Sequence, residues 1–282
     1  SQRVISSSAG LFPLLRHWLS DNELISRLVR IGTYEHNSDF SKYLNSISDV
    51  RVIWGGDRTV NSMKTYSTNP MCVDLCFPNR VSYAMVDIEI LKAKSSKNVQ
   101  HVANLFAKDI VLFNQRACSS PLYIFVKGMD IDGSAEALNE LLTQVNEAIP
   151  KAADSDHYGL EHLRAASEAA LITDCTVYFS GRNLLCLDLD SHTLDAYPEI
   201  FTSGIVGLVR VNSYRCMQKL IASNGQTLTD ITWDTRNRGW HLDMLKHTPI
   251  TRVVPPGQAV TMDSIWDGFD VIRAISKTVT IY

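Results

Sequence analysis

Segments with apolar residues at helical spacing alternate along this chain with short runs rich in β-branched and aromatic residues. The spacing predicts a helix over 9–19, with Pro13 tolerated near its first turn. Residues 28–34 predict a strand, 39–46 a helix and 49–54 a further strand, and 71–76 alternates as a strand before Pro78. Beyond it the pattern predicts strands at 81–86 and 122–126 around a helix over about 98–113. Helices at 135–152 and 159–172 follow, then strands at 175–180, 183–188 and 205–211. Alternation of this kind implies an α/β fold with parallel strands and crossover helices, in which ligands gather beyond the carboxyl ends of the strands. Gly55-Gly56-Asp57 lies at one such end. The chain shows no internal repeat and no long polar linker, so any domain division is expected to be interlocked.

The 282 residues, 45% hydrophobic and 20% charged, are enough to bury a sizeable core and exclude a disordered or low-complexity scaffold. With 27 Lys+Arg against 30 Asp+Glu the formal charge is -3, which offers no general footprint for nucleic acid or anionic membrane. No apolar run reaches bilayer length and the first residues lack a signal-type stretch, so the expected location is the cytoplasm. The six cysteines form no CxxC pair and are expected to be reduced thiols. Cys72 and Cys76 lie in a strand pattern, where their spacing does not suit a metal, and no metal is expected.

Chemistry is most easily placed at Val111-Leu112-Phe113-Asn114-Gln115-Arg116-Ala117-Cys118-Ser119-Ser120-Pro121, where an apolar helix ends in small and polar residues before a strand. A thiol there suits acyl transfer, because its anion attacks a carbonyl well and the resulting thioester stays reactive. A free cysteine is more often a small buried hydrophobe. Gly55 and Gly56 either let backbone approach a nucleotide or form a tight strand-to-helix turn; no complete GxGxxG is present. Asp130-Ile131-Asp132-Gly133 lacks the remaining ligands of a calcium loop and reads as a turn capping a helix at Ser134.

Phe113-Asn114-Gln115-Arg116-Ala117-Cys118 resembles the catalytic-cysteine segment of the aldehyde dehydrogenase superfamily. Gln115 to Pro121 is more closely similar to the acyl-CoA reductase family of bacterial luminescence. Val52-Ile53-Trp54-Gly55-Gly56-Asp57 resembles that family's nucleotide-site turn. Ile250 to Pro255 and Ile265 to Asp270 resemble its C-terminal signature, and Lys277-Thr278-Val279-Thr280-Ile281 the superfamily's closing strand. The resemblance implies an aldehyde dehydrogenase-like α/β fold with a partial Rossmann-type nucleotide domain over 1–78, a catalytic cysteine domain over 79–274 and a closing oligomerisation strand over 275–282. It implies NADPH-dependent reduction of a fatty acyl thioester, acyl-CoA or acyl-protein, to the aldehyde through Cys118. Asn114 and Gln115 are expected to shape the loop; Trp54, Gly55, Gly56, Ser1 and Glu199 of Pro198-Glu199-Ile200-Phe201 are the implied cofactor residues. Acyl-protein synthetase and transferase subunits and a homo-oligomer are the implied partners.

In the same resemblance an upstream segment carries an oxyanion-hole asparagine and partners for the closing strand, so this chain reads as the C-terminal part of a longer one. The superfamily's general-base glutamate aligns with Cys76-Phe77-Pro78-Asn79-Arg80-Val81-Ser82, which supplies no carboxylate. Reduction needs no activated water, so the loss of that base disfavours hydrolysis. His101, Asp74 and Asp87 are the nearest titratable residues in sequence, and none is assigned the role. Arg116 is either a phosphate-steering group or a surface arginine, and Trp266-Asp267-Gly268 is a candidate wall of the substrate tunnel. An aldehyde dehydrogenase, acylating or hydrolytic, and a non-catalytic scaffold of the same fold are the alternatives.

Overall fold

The computed structural model describes residues 17, 18, 20, 21, 23–29, 32–35, 37–150, 155–172, 175–189, 201, 203–234, 238–277, 279 and 281. The chain divides into two compact units, one of residues 1–53 and 61–75, the other of 54–60 and 76–282.

The first unit contains helices α1 (Glu23–Leu28) and α2 (Asp39–Ile47). It also holds most of strands β1 (Val50–Trp54) and β2 (Val73–Phe77), which pair with each other, and part of helix α3 (Asp57–Lys64). Ser38 caps α2 by accepting from the Ser41 N–H at 3.2 Å. Arg51, buried, ties the unit together. Its guanidinium donates to both Asp74 carboxylate oxygens (2.7 and 2.5 Å), to Asn45 Oδ1 (2.6 Å) and to the Met63 carbonyl (3.0 Å). The Arg51 hydrogen bond holds the Asp74 carboxyl below its ordinary value. The strand expected over 28–34 is not formed among its described residues, 28, 29 and 32–34. Leu28 ends α1, and the Val29 N–H continues the helical ladder to the Ile25 carbonyl at 2.8 Å, so local β propensity yields to helix. Most of the helix expected over 9–19 lies outside the described residues; His17 and Trp18 are helical.

The second unit is built on a seven-stranded sheet of order β5-β6-β7-β4-β3-β8-β9. Its strands are β3 (Val81–Asp87), β4 (Pro121–Lys127), β5 (Thr176–Ser180), β6 (Leu185–Leu189), β7 (Ile205–Val211), β8 (Gly225–Asp230) and β9 (Arg252–Val254). All neighbours run parallel except β5 and β6. The crossover helices are α4 (Ile88–Lys92), α5 (Ser96–Val111), α6 (Ser134–Ala148), α7 (Ser155–Ile172), α8 (Tyr214–Leu220) and α9 (Arg238–His247). A two-stranded hairpin, β10 (Ile265–Trp266) and β11 (Phe269–Asp270), precedes α10 (Val271–Ala274). Lys277, Val279 and Ile281 belong to no described strand. The helix that follows Asp130-Ile131-Asp132-Gly133 does begin at Ser134, but the left-handed Gly133 occupies its cap without a side-chain bond.

Alternate residues of the central strands face opposite layers. Ala84, Val86, Ile124 and Val126 pack with Phe106, Ile110, Leu138 and Leu142 of α5 and α6. Tyr83, Met85, Tyr123 and Phe125 face the other way, in one cluster with Met217 of α8 and Met244 of α9. Burial on both faces explains the nearly continuous apolar runs of β3, β4 and β7.

The carboxyl ends of β3, β4 and β8, where a ligand was expected, are filled instead by paired side chains. Asp87 accepts from Lys127 Nζ (2.9 Å), the Tyr214 hydroxyl (2.8 Å) and the Glu89 N–H (3.1 Å). Asp230 meets His241 Nε2 at 2.9 Å and accepts from Thr232 twice. The ring of Tyr214 stacks on Trp240 with centroids 4.6 Å apart. A polar network with its members paired is a lock.

Candidate active site

Helix α5 ends at Val111, and Leu112–Gln115 follows as a tight turn in which Phe113, Asn114 and Gln115 all take left-handed backbone, with φ of 55°, 54° and 60°. Each such residue costs roughly 1–2 kcal/mol, so the turn needs outside support. Gln115 supplies much of it. Its buried amide donates to the carbonyls of Pro121 (3.0 Å) and Ile205 (2.9 Å) and accepts from the Gly204 N–H (2.9 Å). Asn114 Nδ2 donates to Ser203 Oγ at 3.1 Å, and the Ser203 carbonyl meets His162 Nε2 at 3.0 Å. Gln115 thereby ties the turn to the first residues of β4 and β7.

This reversal delivers Cys118, Ser119 and Ser120 to the amino end of β4, whose first residue is Pro121, a place where a missing N–H is tolerated. The Cys118 carbonyl accepts from Ser82 Oγ at 2.7 Å, and Ser82 Oγ in turn accepts from the Thr227 N–H at 3.3 Å. Ser82 stands where the β3–β4 register shifts, an irregularity of the kind that re-aims side chains beside sites.

Cys118 lines a cavity of about 340 Å³ together with Gln115, Arg116, Arg80, Trp54 and Gly55. Phe77, Asn79, Leu122 and Phe201 complete much of the wall. The cavity therefore lies within the second unit, at the amino ends of β3 and β4. For the larger sheet this cavity lies opposite to the carboxyl-end expectation, because the left-handed turn brings the Cys118 loop to that edge. Trp54, half exposed, stacks on the buried Phe77 ring (4.7 Å, 28°), which meets Phe269 edge-on at 5.9 Å.

Gly55 and Gly56 have ordinary negative-φ or extended backbone, and their need for glycine is steric. A Cβ on Gly55 would lie 3.0 Å from Thr59 Cγ2, and one on Gly56 3.3 Å from Asn79 Oδ1. The turn is further closed by the Asn79 N–H donating to Asp57 Oδ1 at 3.0 Å, at the first residue of α3. What it presents to the cavity is Gly55 and the Trp54 side chain. Asn114 and Gly56 do not line the cavity, and Ser1 and Glu199 lie outside the described residues. Of the other titratable candidates, Asp74 pairs with Arg51, Asp87 is locked at the far end of β3, and His101 is exposed on α5.

The Cys118 thiol is raised above its ordinary value, first by burial and then by the Asp267 charge, against favourable action from the Gln226 amide and the N–H groups of Cys118 and Ser119. Arg80 Nε donates to Asp267 Oδ2 at 2.9 Å. Burial raises the Asp267 carboxyl, opposed by Arg80 and by the Gln226 amide. Arg252 lies over the Trp266 ring, 4.6 Å from its centroid, and its charge also interacts with Cys118. Sequence reasoning assigned no role to Arg80 or Gln226, and named Asp267 only within Trp266-Asp267-Gly268, a candidate tunnel wall that is not among the residues lining this cavity. Only the Asp267-Gly268 pair carried a local sign, that of a tight hairpin turn.

This chain has relatives among known proteins. It is 29% identical over 130 residues to the long-chain acyl-protein thioester reductase of Photobacterium phosphoreum, a match covering 45% of this chain and 25% of that protein. It is 26% identical over 129 residues to long-chain acyl-protein thioester reductase 2 of Photobacterium leiognathi, with the same coverage. The match thus spans about a quarter of the length of these curated relatives. Among solved structures it resembles aldehyde dehydrogenase 21 from Physcomitrella patens, with a TM-score of 0.51 at 10% identity over 78% of this chain and 48% of that one. The salicylaldehyde dehydrogenase of Pseudomonas putida G7 gives 0.50 at 12% identity over 81% and 49%. At such low identity these two establish the aldehyde dehydrogenase-like fold. The profile of one family, acyl-CoA reductase (LuxC), matches residues 14–278, nearly the whole sequence, and this chain belongs to that family.

Proposed function

We propose that the protein of which this chain is part reduces a fatty acyl thioester, acyl-CoA or acyl-protein, to the aldehyde with NADPH, through a thioester on Cys118. The observation that carries this reading is that Cys118 shares one cavity with Trp54 and Gly55, the turn that resembles the family's nucleotide site. Residues 1–78 then contribute part of a nucleotide domain, 79–274 the catalytic domain and 275–282 a closing strand. Trp54, with its ring half exposed, and the close-packed Gly55-Gly56 turn suit a flat ligand, and these residues, with Ser1 and Glu199, would hold the cofactor. When bound there, a reduced nicotinamide supplies the hydride.

Cys118 Sγ loses its proton and attacks the acyl carbonyl carbon; the C–S bond to the donor thiol breaks, and that thiol leaves with a proton. The N–H groups of Cys118 and Ser119, which favour negative charge at this sulfur, would support the oxyanion. Once the acyl carbon has been reduced, Sγ departs from it as the aldehyde forms. Arg80 and Asn79 stand in the wall where the superfamily has a base, which suits reduction over hydrolysis. The physiological setting belongs to the same proposal: the cytoplasm, where the six free cysteines would stay reduced, with synthetase and transferase partners and a homo-oligomeric assembly.

Intact-mass measurement after incubation with acyl-CoAs of graded length tests the nucleophile. The expected result is a single acyl adduct that NADPH discharges in the full-length protein and that is absent from Cys118→Ser. An adduct that persists in the variant rejects Cys118.

A further inference from the structure

We propose that His162 is a positioning residue of the Cys118 cavity. The hydrogen bond from its ring to the Ser203 carbonyl fixes the turn to which the nucleophile loop is fastened and beside which Phe201 forms part of the cavity wall. This deepens the reductase reading and rests on Cys118 being its nucleophile.

Two left-handed turns are bonded to each other beside the cavity. In one, Phe113, Asn114 and Gln115 have φ of 55°, 54° and 60°; in the other, Ser203 and Gly204 have φ of 56° and 82°. Of these residues only Gly204 adopts such backbone readily, and for the others it persists only where surrounding contacts impose it. The two turns supply some of those contacts to each other. Asn114 Nδ2 donates to Ser203 Oγ at 3.1 Å, and the Gly204 N–H donates to Gln115 Oε1 at 2.9 Å. Gln115 also donates to the carbonyls of Pro121 and Ile205, which fastens the pair to the first residues of β4 and β7.

The second turn has a further anchor, and it comes from α7. His162 Nε2 lies 3.0 Å from the Ser203 carbonyl oxygen. A carbonyl only accepts, so Nε2 carries the proton and donates it into this bond. His162 is buried to 8% exposure and Ser203 to 3%, so water does not readily replace either partner. Ala165, three residues further along α7 and on the same face, is fully buried in one cluster with Tyr123, Phe201 and Ile205. The helix is thus packed where its histidine makes the bond. Removing the ring donor would leave a buried carbonyl unpaired, and a strained turn relieves that cost by moving.

Movement there bears on the chemistry at two places. Phe201, two residues before Ser203, lines the cavity with Cys118 and Leu122, and its ring meets Tyr123 edge-on at 4.8 Å. Gln115, three residues before Cys118, lines the same cavity and loses its Gly204 partner if the turn shifts. Reaction rates respond steeply to small misplacements of the reacting atoms, so a side chain that never touches substrate can set the rate of acyl transfer.

The test is the rate of Cys118 acylation by saturating hexadecanoyl-CoA in the full-length protein, followed by intact mass, with a thermal melt of each variant. His162→Gln keeps an amide N–H at a reach comparable to Nε2, whereas the His162→Asn amide is one methylene too short. His162→Asn is expected to acylate about tenfold more slowly and His162→Gln to stay within about threefold of wild type. A loss of the same size in both variants, or in neither, overturns the proposal. If His162→Asn does not fold, Ser203→Ala decides, since it keeps the carbonyl that His162 bonds but removes the Oγ that Asn114 bonds. Slower acylation of Ser203→Ala supports the clamp, and a wild-type rate overturns it. Iodoacetamide alkylation, read on the Cys118 peptide of the same proteins, separates this inference from the reductase reading. If acyl-CoA labels a residue other than Cys118, that reading fails and alkylation alone judges the clamp. A thiol several-fold more reactive in His162→Asn than in wild type and His162→Gln then supports it, and equal rates reject it. Acylation of Cys118 at one rate in all variants rejects this inference and leaves the reductase reading standing.

Discussion

Gln115 uses its whole side-chain amide inside the protein, giving two hydrogen bonds and accepting one, and these bonds offset the left-handed backbone around it. Gln115→Leu would leave the Gly204 N–H and the carbonyls of Pro121 and Ile205 buried without that partner. The expected cost is about 2–4 kcal/mol in urea unfolding, accompanied by slower acylation of Cys118 as the loop loses its anchor. A variant as stable as the wild type would show that the turn is held by other contacts. That Gln115 stands close to Cys118 was legible in the sequence, since adjacency in the chain is directly visible. It gave no sign that the side chain bonds to residues at the start of β7, because hydrogen-bonding capacity is written in the residue type and the partner is not.

At the scale of elements, the alternation of helices and strands was legible wherever a strand is buried on both faces or a helix has a distinct apolar side. β3, β4 and β7 lie within two residues of their predicted bounds for that reason. β8 was missed even though it is buried along its length, because Gly225-Gln226-Thr227-Leu228-Thr229-Asp230 is polar in composition. Its polar side chains are buried all the same, Asp230 against His241. The turn before β7 offers a test of strain. Gly204 has φ 82°, and an added Cβ would fall against the Asn183 carbonyl oxygen, far inside contact distance. Gly204→Ala is expected to cost about 2 kcal/mol or more, measured by urea unfolding, and to disturb the Gly204–Gln115 bond with it. A neutral effect would mean that this turn can reshape freely.

For the molecule as a whole, Asp109 couples the fold to pH. From α5 it accepts from the N–H groups of Gly257 (2.7 Å) and Ala259 (3.0 Å), fastening the segment after β9. Burial nevertheless pushes its carboxyl up to about 6. A group whose folded value lies above its unfolded one binds its proton more tightly when folded. Its stabilising contribution is thus present in full below the unfolded value and lost as pH rises through about 6. Wild type is expected to gain up to about 1.4 kcal/mol per pH unit relative to Asp109→Asn between pH 6 and 4. Paired thermal melts across that range check it; a constant difference, or one that shrinks as pH falls, would contradict a raised carboxyl.

By itself the sequence determined that this is an α/β chain, where its main buried strands run, and which thiol stands in a loop between helix and strand. These are local properties, since periodicity records which side of an element is buried and small polar residues mark where an element ends. The tertiary structure decided what surrounds that thiol. It brought Arg80 to Asp267 across 187 residues and put the cavity at the amino ends of the central strands. Crossover connections and the left-handed turn at Phe113–Gln115 set those neighbours, and a pattern of burial carries no information about which distant residue will fill the space opposite.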